Sequence, residues 1–590
     1  MSVSVFPPSC EKCRPPCTSF RASSSKSSDQ SRYQKLFATR QGSARRAMGS
    51  KCFVRSSSVA SVIQLGVGNF GYVQPQLDLT GPLVPGGKLR YRLIGTHEQR
   101  SSYIDFVKPQ ASQFAPTVDY QVTDQLLLRY QGDWRQRNQL RYVSLPFVGT
   151  ISGSGPRLPR SLFTGEPDQG DTENSGYLQT VVLEHSRGES GRTRVYARFN
   201  QNRFDQPSIA PRDVLADERT LRRRFNGFIE SDRETVVGAQ WVGRAEVGRT
   251  MHTFSTGGDA SRWHYDSRFD RATVSNLDLL KPVYGAKPTG QFVLDDTRDE
   301  FVMSGAYVQD AMALTDRLTV LAGVRFDHLT NRTLSRVSNT SGESRDQQFS
   351  PRFGASYDFA PAFIPFVSYS RSFFANFNSG SLPARDKEPL GPQRGEQWEA
   401  GIKSDLSDRA MFTLSAFRLD RSNVPNADPT DPVFQVATGL QRSQGVELFG
   451  SMELTKQWSL LTSYAYTDAR VVRDTRIAPG TLLDNVPFNS ARVWGRWSMQ
   501  RGQWTGRLNA GVSYSGAVRT SIATATVAPL MVPDFAVIDG GAALERGRIG
   551  VDAVLQNAAD RYYFVRGAFG ATGVVPGDAR RVIITARVRH

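Results

Sequence analysis

Between Gln347 and Phe377 the chain alternates. Phe353, Ala355, Tyr357 and Phe359 take one parity, and Arg352, Gly354, Ser356 and Asp358 take the other. A period of two predicts a strand with one apolar and one polar face. Pro361 interrupts it. A second strand follows, with Phe366, Ser368 and Ser370 against Val367, Tyr369 and Arg371. A long Gly/Ser/Pro-rich loop then runs from Ala375 to Gln393. Strand, tight turn, strand, long loop is the order of a transmembrane β-barrel. A soluble sandwich or propeller also alternates, so the number of repeats has to decide.

The pattern repeats from Ser61 to the end of the chain. It opens with Val62–Phe70, Gln74–Leu83 and Leu89–Gln99, and closes with Phe535–Leu544, Ile549–Asn557 and Arg581–Arg589. In between, a charge-rich loop holding Arg222, Arg223 and Arg224 is expected before Glu234–Trp241, and a second long loop between Tyr265 and Asp299. The segments number 22, an even count that starts and ends on the short-turn side. The prediction is an all-β fold, a transmembrane antiparallel barrel of about 22 strands, with generous loops on one side only. On the last strand Val582, Ile584, Ala586 and Val588 share one face, and Arg581, Thr585, Arg587 and Arg589 the other. A basic residue facing lipid costs about 2–4 kcal/mol at the midplane, so the second set is expected to face a wet lumen. Tyr464 and Tyr466 read either as girdle aromatics or as ordinary cross-strand packing.

Composition narrows the picture. The chain has 590 residues, 34 Phe, 19 Tyr and 51 Gly, with 39% hydrophobic content. No apolar run approaches the roughly 18 residues of a spanning helix. A net charge of +17 invites a nucleic-acid reading. Arg is scattered along strands without a recognition motif, so no nucleic acid is expected. The six histidines lie far apart in sequence, and neither a metalloprotease motif nor a clustered Ser/His/Asp set is legible. An outer-membrane hydrolase is therefore not favoured, and no enzyme activity or cofactor is expected.

Residues 1–60 differ from the rest. They are Ser- and Arg-rich and hold all the cysteines, Cys10, Cys13, Cys17 and Cys52. The Cys spacing lacks a further ligand set at finger distance. No apolar core or cleavage site marks a secretory signal. The composition mimics an organellar transit peptide and also suits disorder. The favoured reading is a wrong start or a frameshift, giving two parts: a disordered or non-native 1–60 and a barrel over 61–590.

Several strings across Ser61–Arg589 resemble the TonB-dependent siderophore receptors of Gram-negative outer membranes. They include GYVQPQLDLTGPL (Gly71–Leu83), LPRSLFTGEPD (Leu158–Asp168), FSPRFGASYDF (Phe349–Phe359), RGEQWEAGIKSDL (Arg394–Leu406), RSQGVELFGSMEL (Arg442–Leu454), NVPFNSARVW (Asn485–Trp494) and LQNAADRYY (Leu555–Tyr563). The Gly577–Arg580 turn fits too. The resemblance implies ferric-siderophore uptake energised by an inner-membrane TonB complex. It also implies a monomer in the outer membrane, in contact with lipid and lipopolysaccharide and inserted by the barrel assembly machinery. The departures are specific. The first strand near residue 61 leaves no room for the family's plug domain, and no TonB-box-like stretch is found. The terminal His590 replaces the usual outward-facing aromatic. The alternative expectation is thus a plugless passive pore or a non-functional receptor fragment.

In the family, outer loops and plug grip the chelate with aromatics and Arg. Extracellular candidates for ligand contact are Tyr103, Phe106, Tyr142, Phe147, Trp263, Tyr265, Phe374 and Phe377. Each is also readable as plain loop packing. Arg371, with outward parity near the rim, reads as a girdle-edge residue or a lipopolysaccharide phosphate contact. Iron would arrive already chelated, so protein metal ligands are not expected.

Overall fold

A computed structural model describes residues 60–188, 191–360, 363–376, 390–407, 409–427, 435–520, 530–568 and 573–590. The expectations for residues 1–59 and for Phe377 lie outside these. Among the described residues there is no helix. The sheet is a closed antiparallel barrel of 22 strands. Each strand pairs with its neighbours in sequence, and the ring is shut where Ala60–Gly68 pairs with Arg581–Arg589. At one end of this seam Ser61 and His590 exchange backbone hydrogen bonds of 3.2 and 2.8 Å. At the other, the Asn69 side chain donates to the Arg580 carbonyl and accepts from the Val582 amide. Every described residue lies in the wall, a turn, or an outer loop.

Parity gives the wall its two faces. Ile584 and Val588 point outward and are exposed, as are Ile63, Leu65, Val181, Val195, Val237 and Val308 on other strands. The opposite parity carries paired charges. Arg129 holds Asp119 through two hydrogen bonds of 2.6 and 2.7 Å, and Arg92 holds Asp78 the same way at 2.9 and 2.7 Å. Arg325 bridges Asp259 and Asp327. On the last strand, the buried Arg587 reaches Glu545 and Asp552. Such pairs suit a wet, protein-lined lumen, where each charge is matched without facing hydrocarbon. Exposed rings gather at the ends of the apolar band. Tyr357, Trp458 and Trp504 sit beside short turns, while nearer the loops Phe114 stacks on Trp134 and Tyr369 packs on Trp398. Tyr464 and Tyr466 share this lipid-facing side. Arg371 does too, 3.5 Å from Glu396.

Strand length departs from expectation. A tilted crossing needs about 9–11 residues. The strands Gly191–Val214, Thr220–Val247, Thr250–Asp278 and Thr289–Ala313 run to 24, 28, 29 and 25 residues. Arg222, Arg223 and Arg224 therefore lie in a strand rather than a loop, and most of 266–299 is ladder as well. Above the membrane the outer face meets water instead of lipid. The apolar half of the alternation is no longer needed there, while the hydrogen-bond ladder continues.

Candidate functional site

Five outer connections converge into a cap on the loop side. They are the stretches 100–109, 141–170, 279–288, 516–534 and 557–580, as far as they are described. Leu145–Pro146 pairs with Gly573–Pro576, which pairs with Phe564–Gly567, so a small sheet forms within the loops. The two loops joined this way are separated by six barrel strands. That is roughly 29 Å of rim at about 4.8 Å per strand. Leu145, Phe147, Leu158, Leu162, Leu221, Leu277, Val518 and Val574 bury one another in a common core. A second cluster holds Ile104, Val107, Leu140 and Phe163.

Polar pairs fix this cap. Arg223 and Glu166 are both fully buried and 2.7 Å apart. Arg223 also donates to the Gly165 and Ser275 carbonyls, and Glu166 accepts from the Gly285 amide at 2.7 Å. One ion pair thus ties a loop, a strand start and a second loop. Arg160 grips Asp560 with two hydrogen bonds, 3.0 and 2.8 Å long. Tyr284 donates to the Phe163 carbonyl and Tyr103 to the Pro576 carbonyl. Asn557, buried and with φ of 46°, is the hub of the turn into the last loop. Its side-chain amide donates to the Arg561 and Asp578 carbonyls. Gly577 lies flat on Tyr563, where a Cβ would collide with the ring.

The Arg160 hydrogen bond, followed by one from the Arg580 amide, holds the Asp560 carboxyl down at about 2. A depressed folded-state value means the link stabilises above the unfolded carboxylate's pKa, near about 4, and is lost as pH falls through about 2. The Arg160–Asp560 link is therefore expected to persist at pH 5 and to release below pH 3. Protease sensitivity of the 557–580 loop should rise over that lower window in wild type and be pH-independent in Asp560→Asn. Unchanged sensitivity down to pH 2 would count against the link.

The aromatic candidates named from the sequence divide between two places. Tyr103, Phe106, Tyr142 and Phe147 belong to the cap. Phe147 is buried in its larger core, and Tyr142 packs on Phe163 with centroids 6.4 Å apart. Burial raises both the Tyr103 and Tyr142 phenols far above their ordinary range. Of the four, Phe106 is the exposed one, edge-on to Phe163 and Tyr284. Trp263 and Tyr265 are not in a loop; they stand on the strand Thr250–Asp278. Their parity continues that of Asp259 in the lumen wall, and Trp263 stacks on Phe301 with centroids 5.1 Å apart. Phe374 is buried at the outer end of Ile364–Phe374. Further up the Trp263 face, Phe228 and Phe269 stack in parallel with centroids 4.3 Å apart. Arg224 and Arg271 follow on the same parity. The alternation gave no sign of these four, because they fall in stretches that read as loops. No cluster of three or more His, Cys, Asp or Glu fit to hold a metal ion occurs among the described residues.

Comparison with known proteins agrees with this architecture. The family described as "TonB dependent receptor-like, beta-barrel" matches residues 113–554. The metal-pseudopaline receptor CntO of Pseudomonas aeruginosa is 29% identical over 546 residues, covering 90% of this chain and 75% of that protein. The ferrichrome outer membrane transporter/phage receptor of Escherichia coli K12 is 26% identical, covering 89% and 74%. Among solved structures, the siderophore receptor PiuA from Acinetobacter baumannii superposes with a TM-score of 0.80 at 16% identity, over 91% of this chain and 82% of that one. At that identity the likeness speaks for the fold. The chain belongs to the TonB-dependent receptor family and forms that family's β-barrel in the Gram-negative outer membrane.

Proposed function

We propose that this barrel is the membrane part of a receptor for metal chelates, ferric siderophores or related metallophores. The observation that carries the reading is a 22-strand wall with a charged inner face, topped by a cap with its own apolar core. The receptors similar to it are named for metal-pseudopaline, ferrichrome and ferrioxamine B. Energised uptake in this family uses TonB and a plug in the lumen. A second reading, passive passage through the barrel, rests on the position of the described residues, all of them in wall, turns or outer loops.

The test expresses the full chain in a strain lacking its own siderophore receptors, with and without TonB. Chelate binding to these cells is expected, together with TonB-independent conductance of the purified chain in planar bilayers. Growth on a ferric siderophore that vanishes without TonB would replace the passive reading with the energised one. Failure to bind any metal chelate would overturn the receptor reading itself.

A further inference from the structure

The long strands carry two cations, Arg224 and Arg271, that no carboxylate matches among the described residues, with Arg212 close by. Register places Arg224 opposite Thr273 and Arg271 opposite Asn226, so the two guanidiniums share one face of adjacent strands. Arg212 sits at the irregularity between Pro211 and Asp213 on the next strand. Arg224 and Arg271 are half-buried, and the Nε of each is buried without a hydrogen-bond partner. Acids on these strands are engaged elsewhere: Asp213 with Arg222, Asp270, on the opposite face, with Arg268, and Asp295, opposite Phe269, in an interaction of its own. Burial first, and then the neighbouring guanidiniums, lower the proton affinity of Arg224 and Arg271. Elsewhere on the long strands arginines do meet carboxylates, as Arg262 and Arg298 do. An unmatched, partly desolvated pair, with the exposed Arg212 adding positive charge beside it, is costly unless an anion arrives.

The surroundings define that anion. Arg271 lies 5.1 Å from the centroid of Phe269, which stacks on Phe228. The Asn226 side-chain oxygen is buried without a donor. The site therefore offers a planar fork for carboxylate oxygens, an apolar shelf, and one acceptor for a hydroxyl or amine. Between Asn226 and Gly238 no register shift interrupts the pairing with Thr250–Asp278. The face is thus continuous with the lumen wall at Asp259, and lies opposite to the parity that meets lipid.

We infer that Arg212, Arg224 and Arg271 hold the free carboxylates of an anionic, hydroxy- or amino-polycarboxylate metal chelate on its way to the lumen. The inference rests on the receptor reading and names the ligand class within it. A lipopolysaccharide phosphate has the same charge chemistry, but it would meet the lipid parity, where Arg268 and Arg262 stand.

The test uses the full chain purified in detergent, with ferric citrate and ferric EDTA as anionic probes and ferrioxamine B as a cationic one. Binding is read by tryptophan fluorescence at two salt concentrations. The anionic probes should bind, more weakly at high salt. The double variant Arg224→Gln/Arg271→Gln should bind them on the order of tenfold or more weakly, the loss expected on removing charge-assisted hydrogen bonds. Arg268→Gln should bind them like wild type. A purely structural role is separated by thermal unfolding. Because the arginines repel each other, the double variant should melt no earlier than wild type, and citrate should raise the melting temperature of wild type only. Binding of the cationic probe alone, or equal affinity of the double variant, would overturn the inference. So would loss of co-purified lipopolysaccharide from that variant with chelate binding unchanged. Binding of no probe at all would instead count against the receptor reading.

Discussion

Glu166→Ala is expected to loosen the loop cap while leaving the barrel shut. Both members of the Arg223–Glu166 pair are fully buried, so removing the carboxylate strands a guanidinium away from water. Breaking a buried pair by deleting one partner costs about 3–5 kcal/mol. The Gly285 amide loses its acceptor in the same step. The cost falls on the cap, because these bonds tie Glu166 to the start of one strand and to the 279–288 loop, both outside the membrane band. Limited proteolysis of intact cells should therefore cut the 141–170 and 279–288 loops faster. The heat-modifiable gel shift of the folded barrel should persist. A double variant, Glu166→Leu/Arg223→Leu, should be much milder, since replacing both charges removes the stranded ion. Equal protease resistance of Glu166→Ala and wild type would sink the argument, as would a double variant worse than the single.

The second large effect contrasts two adjacent residues. Ile584 points to lipid and is exposed, while Thr585 points inward beside Asp552. Ile584→Arg places a cation in hydrocarbon and should cost about 2–4 kcal/mol near the midplane. Thr585→Arg places the same side chain in the wet lumen, beside Asp552 that Arg587 already holds, and should cost far less because its charge stays hydrated. Urea unfolding in lipid vesicles measures both. The lumen-facing variant proving as destabilising as the lipid-facing one would mean that the two faces are assigned the wrong way round.

The strand count and the faces were legible because lipid enforces alternation. Each crossing must show apolar residues on one parity, and Phe353, Val367 and Ile584 do so. The outer extensions were not legible for the complementary reason. Around Arg222–Phe228 both faces are wet or covered by loops, so polar residues occupy both parities and the sequence resembles a loop. The cap was half-visible. LPRSLFTGEPD and LQNAADRYY stood out as strings, yet their meaning lies in partners far away in sequence. Glu166 meets Arg223 and Arg160 meets Asp560 across separations of 57 and 400 residues. No local period encodes such pairings. Choosing site residues by aromatic type found Tyr103, Tyr142 and Phe147, because a ring that packs a loop core and a ring that grips a ligand are the same residue types. The unmatched arginines are recognisable only once register shows which carboxylates are spoken for.

The seam between Ala60–Gly68 and Arg581–Arg589 has a consequence for how the molecule is made. Neighbouring strands can pair as they emerge, each closing only a short stretch of chain. The ring closes through a contact 513 residues apart, from Asn69 to Val582, so it must wait until most of the polymer exists. Until then the growing sheet has two bare edges, each a row of unpaired amides and carbonyls ready to recruit another chain. A nascent barrel therefore has to be chaperoned as an open sheet, and the last nine-residue strand decides its fate. Truncation within an outer loop subtracts a feature, whereas truncation before Arg581 leaves the cylinder a sticky ribbon.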